Sequence, residues 1–308
     1  MTKLLKKYGT LLALFGIIIL FSILKPGTFF TVRNFINITQ QISILMTAAI
    51  GATIILAVSE FDLSLSSIVS FGGIMAAGLM ASGVNWIVAV LISCALSFAF
   101  GLMNGFLISK LKLPSFVTTL ATGTLLGGIT FWYSKGTIIF SGIPDEFLIM
   151  GQESVLGIPI TSLVMFGMIF LFWYIMSKTV YGRKLYSVGG NEKAAKYSGI
   201  KVESIKISAF AISALLGGFA GITLTSKLGS AHPTAGGAYL MQAYAAAFLG
   251  TTLFREGEAN IWGTLVGALI MGILANGLTI MNVPYFLQDI LTGIIIVAAL
   301  ILRVSKKA

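Results

Sequence analysis

The chain has 308 residues, 57% hydrophobic and only 10% charged, with a mean hydropathy of +0.98; an ordinary soluble domain carries about 25% charged residues. That apolar excess excludes a soluble globule, a disordered chain, a coiled coil and a secreted disulfide scaffold, and points to a polytopic membrane protein. One cysteine, Cys94, and one histidine, His232, exclude an internal disulfide and a His/Cys metal cluster, and the net charge of +10 is held by residues at the ends of apolar runs, not by a nucleic-acid-binding surface.

A spanning helix needs about 20 mostly apolar residues. The first run, 8–24, follows Lys3, Lys6 and Lys7 like a signal peptide. No small-residue cleavage site follows, so a retained first span is expected. Residues 25–40 read as a polar break. Further runs fall at 41–59, 64–83, 86–109, 114–134, 162–177, 207–225, 240–254, 261–280 and 286–302. The expectation is an all-α helical bundle of about ten transmembrane helices, a single transmembrane domain over 1–308. The 240–254 run is short for a full span.

With the N-terminus inside and ten crossings, the inside segments hold 16 basic residues and the outside four: Lys25, Arg33, Lys135 and Lys227. That asymmetry puts both termini in the cytoplasm and requires an even number of spans, a parity that eight would also satisfy. Two polar segments remain: 135–161 outside, with Asp145, Glu146 and Glu153, and 178–206 inside, with seven basic residues.

There is an internal echo. Pro114, Phe116, Thr122 and Gly123 recur in place as Pro284, Phe286, Thr292 and Gly293, and Asn104-Gly105 recurs upstream as Asn276-Gly277. An offset of five spans reverses direction, so the halves read as inverted repeats, a pattern common in transporters.

No phosphate-binding loop, nucleophile elbow or His-Glu-x-x-His occurs, so no catalytic residue, bound cofactor or metal is expected in this chain. The inside loop carries more information. Asn191 after two glycines can cap a helix, Glu192 suits its positive end, Ala194 and Ala195 favour it, and Ser198-Gly199 can stop it. The result is a short helix with small residues on its surface, able to enter a groove of a partner. The alternative is a basic loop that only fixes orientation.

This loop resembles the coupling loop of permease subunits of the ribose/xylose/galactose class of bacterial ABC importers. The matching residues are Thr179, Gly182-Arg183, Gly189-Gly190-Asn191, Ala194-Ala195 and Ser198-Gly199-Ile200. Asp62-Leu63-Ser64, Asn104-Gly105, Pro114-x-Phe116 with Thr119-Leu120, Pro233-Thr-Ala-Gly236 and Gly263-Thr-Leu-x-Gly-Ala268 also fit, in order along nearly the whole chain. Departures fall at Ser59-Glu60-Phe61, at Leu65-Ser66 and at 255–260, which suggests a divergent branch whose cargo need not be ribose.

The resemblance implies a bacterial inner-membrane permease that dimerises with itself or a homologue. ABC ATPase subunits holding ATP and Mg would dock on 178–206, and an extracytoplasmic solute-binding protein would deliver a monosaccharide or related solute. Gly182, Arg183, Gly190, Asn191, Glu192, Ala194, Ala195, Ser198 and Gly199 are the expected coupling residues. Asp62, Ser64, Asn104, Thr118, Thr122, Gln242 and Asn276 are candidates for a polar path, each also able to serve only as glue between helices. Asp62 can instead cap the third span through the Ser64 and Leu65 N–H groups. The rival reading is an ion-coupled secondary carrier, which would use Glu60, Asp62 or Asp289 as its coupling carboxylate.

Overall fold

The computed structural model describes residues 2–254, 257–284, 286–295 and 297. The expectations placed on Arg255, Glu256, Arg303, Lys306 and Lys307, and on the end of the 286–302 run, lie outside them.

In chain order the helices are α1 (Thr2–Leu24), α2 (Val32–Ala57), α3 (Leu65–Ala81), α4 (Trp86–Ser109), α5 (Ser115–Ser134) and the short α6 (Asp145–Gln152). A two-residue antiparallel pair follows, β1 (Ser154–Val155) with β2 (Ile158–Pro159). Then come α7 (Ile160–Lys178), α8 (Val180–Gly190), α9 (Glu192–Tyr197), α10 (Val202–Leu228), α11 (Gly237–Gly250) and α12 (Ile261–Ile280), and last α13 (Phe286–Ile295). Each of the first nine apolar runs falls mainly on a helix, and the described part of the tenth is α13. By length and composition α2, α4, α7, α10 and α12 are sufficient to cross a membrane.

Two boundaries differ from the sequence reading. The break expected over 25–40 closes at Thr31, whose hydroxyl caps α2 by accepting from Asn34 N at 3.2 Å. The polar residues beyond it find partners inside the protein: Asn34 pairs with Asn276, and Gln40 Nε2 donates to Gly151 O at 3.1 Å. A helix can carry such side chains in an apolar medium when they are paired internally. The 240–254 run ends as helix at Gly250. At 1.5 Å per residue, α11 is about 21 Å long, short of the roughly 30 Å hydrocarbon core. Its residues from Ala243 to Gly250 are all buried, so it is an interior segment that stops part-way.

The core is built on α2 and α10. Every residue of α2 from Ile42 to Ala57 is buried. Helix α10 packs on α2, α3 and α4, and small residues set how closely. Gly72 of α3 lies against the backbone of Gly218, and Gly221 against the carbonyl of Val69. A methyl group at either glycine would overlap the facing main chain, which is why glycine is used where dispersion between close backbones must hold helices together.

The connections gather at two ends. At one, Ser59 Oγ donates to Gly189 O at 2.8 Å, Lys112 Nζ lies 3.9 Å from Glu203, and Tyr186 OH donates to Ala259 O at 2.8 Å. At the other, Ile139 bridges Ala231, Ser226 Oγ donates to Phe147 O at 2.6 Å, and Gln152 Nε2 donates to Lys227 O at 3.3 Å. Among the described residues, the connections 58–64, 110–113, 178–206 and 257–260 thus share one end, and 135–161 and 226–239 share the other. Asn104 is bonded to Ser64 at the first end, while Asn276 is bonded to Asn34 near the start of α2, at the second.

Candidate functional site

The loop between α7 and α10 is built from two helices, α8 and α9, joined by short turns. Thr179 ends α7 and caps α8, its hydroxyl accepting from Gly182 N at 3.2 Å. Gly182 is buried, and a Cβ there would strike the Met176 carbonyl, so the chain can fold back on α7 only with glycine at this point. Helix α8 buries Gly182, Leu185 and Val188 and leaves Arg183 exposed. It ends at the exposed Gly190.

Asn191 then caps α9, Oδ1 accepting from Ala194 N at 3.0 Å. Ser198 Oγ donates back to Ala194 O at 3.0 Å, and Gly199 at φ +79° reverses the chain. The short capped helix expected at 191–198 is therefore present. One detail differs: Ala194 is on the surface, but Ala195 is buried at 4% exposure. A helix this short lying on the bundle must turn one residue inward. Tyr197, which the sequence reading did not single out, is 91% exposed.

Glu192 does more inside the protein than the sequence reading allowed. Lys206 Nζ, at the start of α10, donates to Glu192 Oε2 and to Glu60 Oε1, each at 2.7 Å. The Lys206 and Glu60 side chains are only 10% and 16% exposed. Lys112 stands at 4.0 Å from Glu192 on the outer side. Glu192 thus faces inward to Lys206 while staying partly open to solvent.

Beside this ionic group lies a buried polar cluster in the connection 58–64. Asp62 Oδ1 accepts from Ser64 N at 3.0 Å and from Ser64 Oγ, and Ser64 Oγ accepts from Asn104 Nδ2 at 2.9 Å. Asp62 N donates to Tyr244 OH at 2.7 Å, and Leu63 N donates to Thr119 Oγ1 at 3.0 Å. Asp62, Ser64 and Asn104 are essentially inaccessible. Asp62 Oδ2 and Asn104 Oδ1 are buried and have no protein partner. Burial pushes the Asp62 carboxyl up to about 6, and the two Ser64 hydrogen bonds only partly offset it. The expected cap on α3 is half present: the bond to Ser64 N forms, and none to Leu65 N is made.

The other path candidates are scattered. Thr118 and Thr122 return their hydroxyls to their own helix, to Pro114 O at 2.8 Å and Thr118 O at 3.0 Å. Asn276 and Asn34 exchange two amide hydrogen bonds of 3.0 Å. Gln242 lines a cavity of about 80 Å³ with Gln288, Asp289 and Thr292, between α11, α12 and α13. Sequence reasoning missed Lys206, Tyr244 and Asn34 as partners. The one available signal was that Lys206 and Glu60 each stand at the edge of an apolar run; nothing in the order of residues pairs them.

Comparison with known proteins gives a consistent result. Residues 34–300 match the family described as branched-chain amino acid transport system / permease component. The ribose import permease protein RbsC of Bacillus subtilis is 39% identical over 99% of this chain and 94% of its own length. RbsC of Escherichia coli K12 is 37% identical over 98% and 95%. The D-allose transport system permease protein AlsC of Escherichia coli K12 is 34% identical over 96% and 91%. No solved structure matches.

Proposed function

The chain belongs to the branched-chain amino acid transport system / permease component family, and from that premise we propose that it is the membrane subunit of a bacterial ABC importer for a monosaccharide. The relatives named for ribose and allose support the cargo class. In this reading the chain works as a dimer in the inner membrane, with both termini in the cytoplasm, because basic residues concentrate in the connections at one end. ATPase subunits carrying ATP and Mg dock at that end, and a solute-binding protein delivers cargo at the other. The permease makes and breaks no covalent bond. Its task is to offer hydrogen-bond partners to hydroxyls, for which Gln242, Gln288, Asp289 and Thr292 around their shared cavity are suited.

The observation that carries the reading is α9. It is a capped helix of six residues on the connecting surface, with Ala194 and Tyr197 outward and Arg183 exposed on the helix before it. An exposed aromatic beside small residues is the composition of an interface anchor. The test is purification of the tagged chain from its native membranes in mild detergent, with ATP hydrolysis assayed on the product. Wild type brings down an ATPase, and Tyr197→Glu loses it while the permease itself still elutes as one monodisperse peak. A chain that purifies alone and still moves solute in vesicles without ATP overturns the reading. Asp62, the buried carboxylate, would then be the group to replace first.

A further inference from the structure

The connection 58–64 is held from two sides. On the loop side, Ser59 Oγ donates to Gly189 O at 2.8 Å, Gly189 packs directly on the Ala57 carbonyl, and Lys206 joins Glu60 to Glu192 through two bonds of 2.7 Å. On the bundle side, the same seven residues hold three other helices. Tyr244 of α11 bonds Asp62, Thr119 of α5 bonds Leu63 N, and Asn104 of α4 bonds Ser64. No other connection among the described residues shows bonds both to α8–α9 and to three further helices.

We propose that Lys206 is the positioning residue through which displacement of α9 reaches the spans, by tying Glu192 at the start of α9 to Glu60 in the 58–64 connection. This rests on the importer reading, since it is ATPase docking on α9 that supplies the displacement. The chemistry favours a rigid tie. A surface ion pair is loose and screened by salt. A lysine 10% exposed, bonded at 2.7 Å both to Glu60 (16% exposed) and to Glu192 (45% exposed), is fixed by two bonds at once, and its mostly buried Glu60 end is expensive to separate. Pulling on Glu192 therefore moves Lys206 and Glu60 together. Glu60 stands two residues from Asp62, so the pull passes along two peptide units into the bonds to α4, α5 and α11.

The alternative is that the ionic group only adds stability. The two differ in what they predict for transport per ATP. The experiment uses the complete importer, with its ATPase and binding protein, reconstituted in liposomes, and reads solute imported against ATP hydrolysed. Lys206→Met is expected to purify with the ATPase as wild type does, to keep hydrolysis within about threefold, and to import about tenfold less solute per ATP, within the 5–150-fold range usual for coupling between sites. Lys206→Arg, which can bond both carboxylates, restores the ratio to within about threefold. Glu60→Gln keeps the Lys206–Glu192 pair and weakens only the tie to 58–64, so it lowers the ratio in the same direction. An unchanged ratio in Lys206→Met overturns the proposal, as does an Arg variant no better than Met. Should Lys206→Met fail to fold, Glu60→Gln decides: an unchanged ratio there overturns it equally. A wild-type chain that brings down no ATPase removes the importer reading itself, and is seen before any variant is made.

Discussion

Asp62 makes the stability of this protein depend on pH in a direction opposite to most carboxylates. The group lies in the 58–64 connection, outside the spans. Its carboxyl is raised from an ordinary 3.8 to about 6 by burial. The folded state therefore holds the proton more tightly than the unfolded chain does. Below pH 4 both states are protonated and the group contributes no difference. As pH rises from about 4 to 6, the unfolded chain ionises and the folded one resists, so stability falls. Above pH 6 the full penalty is present. At 1.36 kcal/mol per pH unit, a gap of about two units amounts to about 3 kcal/mol. Asp62→Asn keeps an oxygen to accept from Ser64 N and Oγ and removes the charge. The expected result is a variant up to about 3 kcal/mol more stable than wild type at pH 7.5, with the advantage disappearing by pH 4. The assay is reversible unfolding in detergent micelles at a series of pH values. Parallel profiles for the two proteins would refute the reasoning, because they would mean that Asp62 titrates alike in both states.

Three further outcomes are expected. Gly221→Ala places a methyl group on the Val69 carbonyl at the α3–α10 crossing and should destabilise by about 1–3 kcal/mol, whereas Gly128→Ala, with open space around it, should not; thermal melts of both report this. Asn276→Ala leaves the buried Asn34 Oδ1 without its donor, while Asn34 Nδ2 keeps its 3.0 Å bond to Phe29 O, and should destabilise by about 1–3 kcal/mol in the same measurement. Gln242→Ala removes one hydrogen-bonding group from the cavity it shares with Asp289 and Thr292, which at about 1.4 kcal/mol amounts to roughly tenfold weaker apparent affinity for solute in uptake assays, with ATPase co-purification unchanged.

The helices and the grouping of the connections at two ends were legible in the order of residues, because each rests on a local property. Apolar run length sets whether a segment can cross lipid. A capping asparagine and a glycine at positive φ set where α9 starts and stops, and both act over three or four residues. The charge asymmetry needs only a count of Lys and Arg on each side of the runs. Of the cap expected from Asp62, the bond to Ser64 N two residues on was visible in sequence, and the one to Leu65 N does not form. Helix α8 was not singled out, since its Gly-rich end and mixed pattern read as a linker, and α2 starts nine residues before its apolar run because Asn34 and Gln40 find partners in distant segments.

What only the tertiary structure decided is which polar groups meet. Glu60 and Lys206 are 146 residues apart, Asp62 and Tyr244 are 182, and Asn34 and Asn276 are 242. The sequence by itself determined that this is a helical membrane chain with a short capped helix in the connection at its basic end. Packing then decided that Glu192 turns inward and that Ala195 is hidden. It also decided that Asp62, Ser64 and Asn104 form one cluster, while Thr118 and Thr122 bond their own helix. The physical reason is that hydrogen bonds are short and directional, so a pairing exists only once glycine contacts such as Gly72 on Gly218 have fixed how closely and in what register the helices cross.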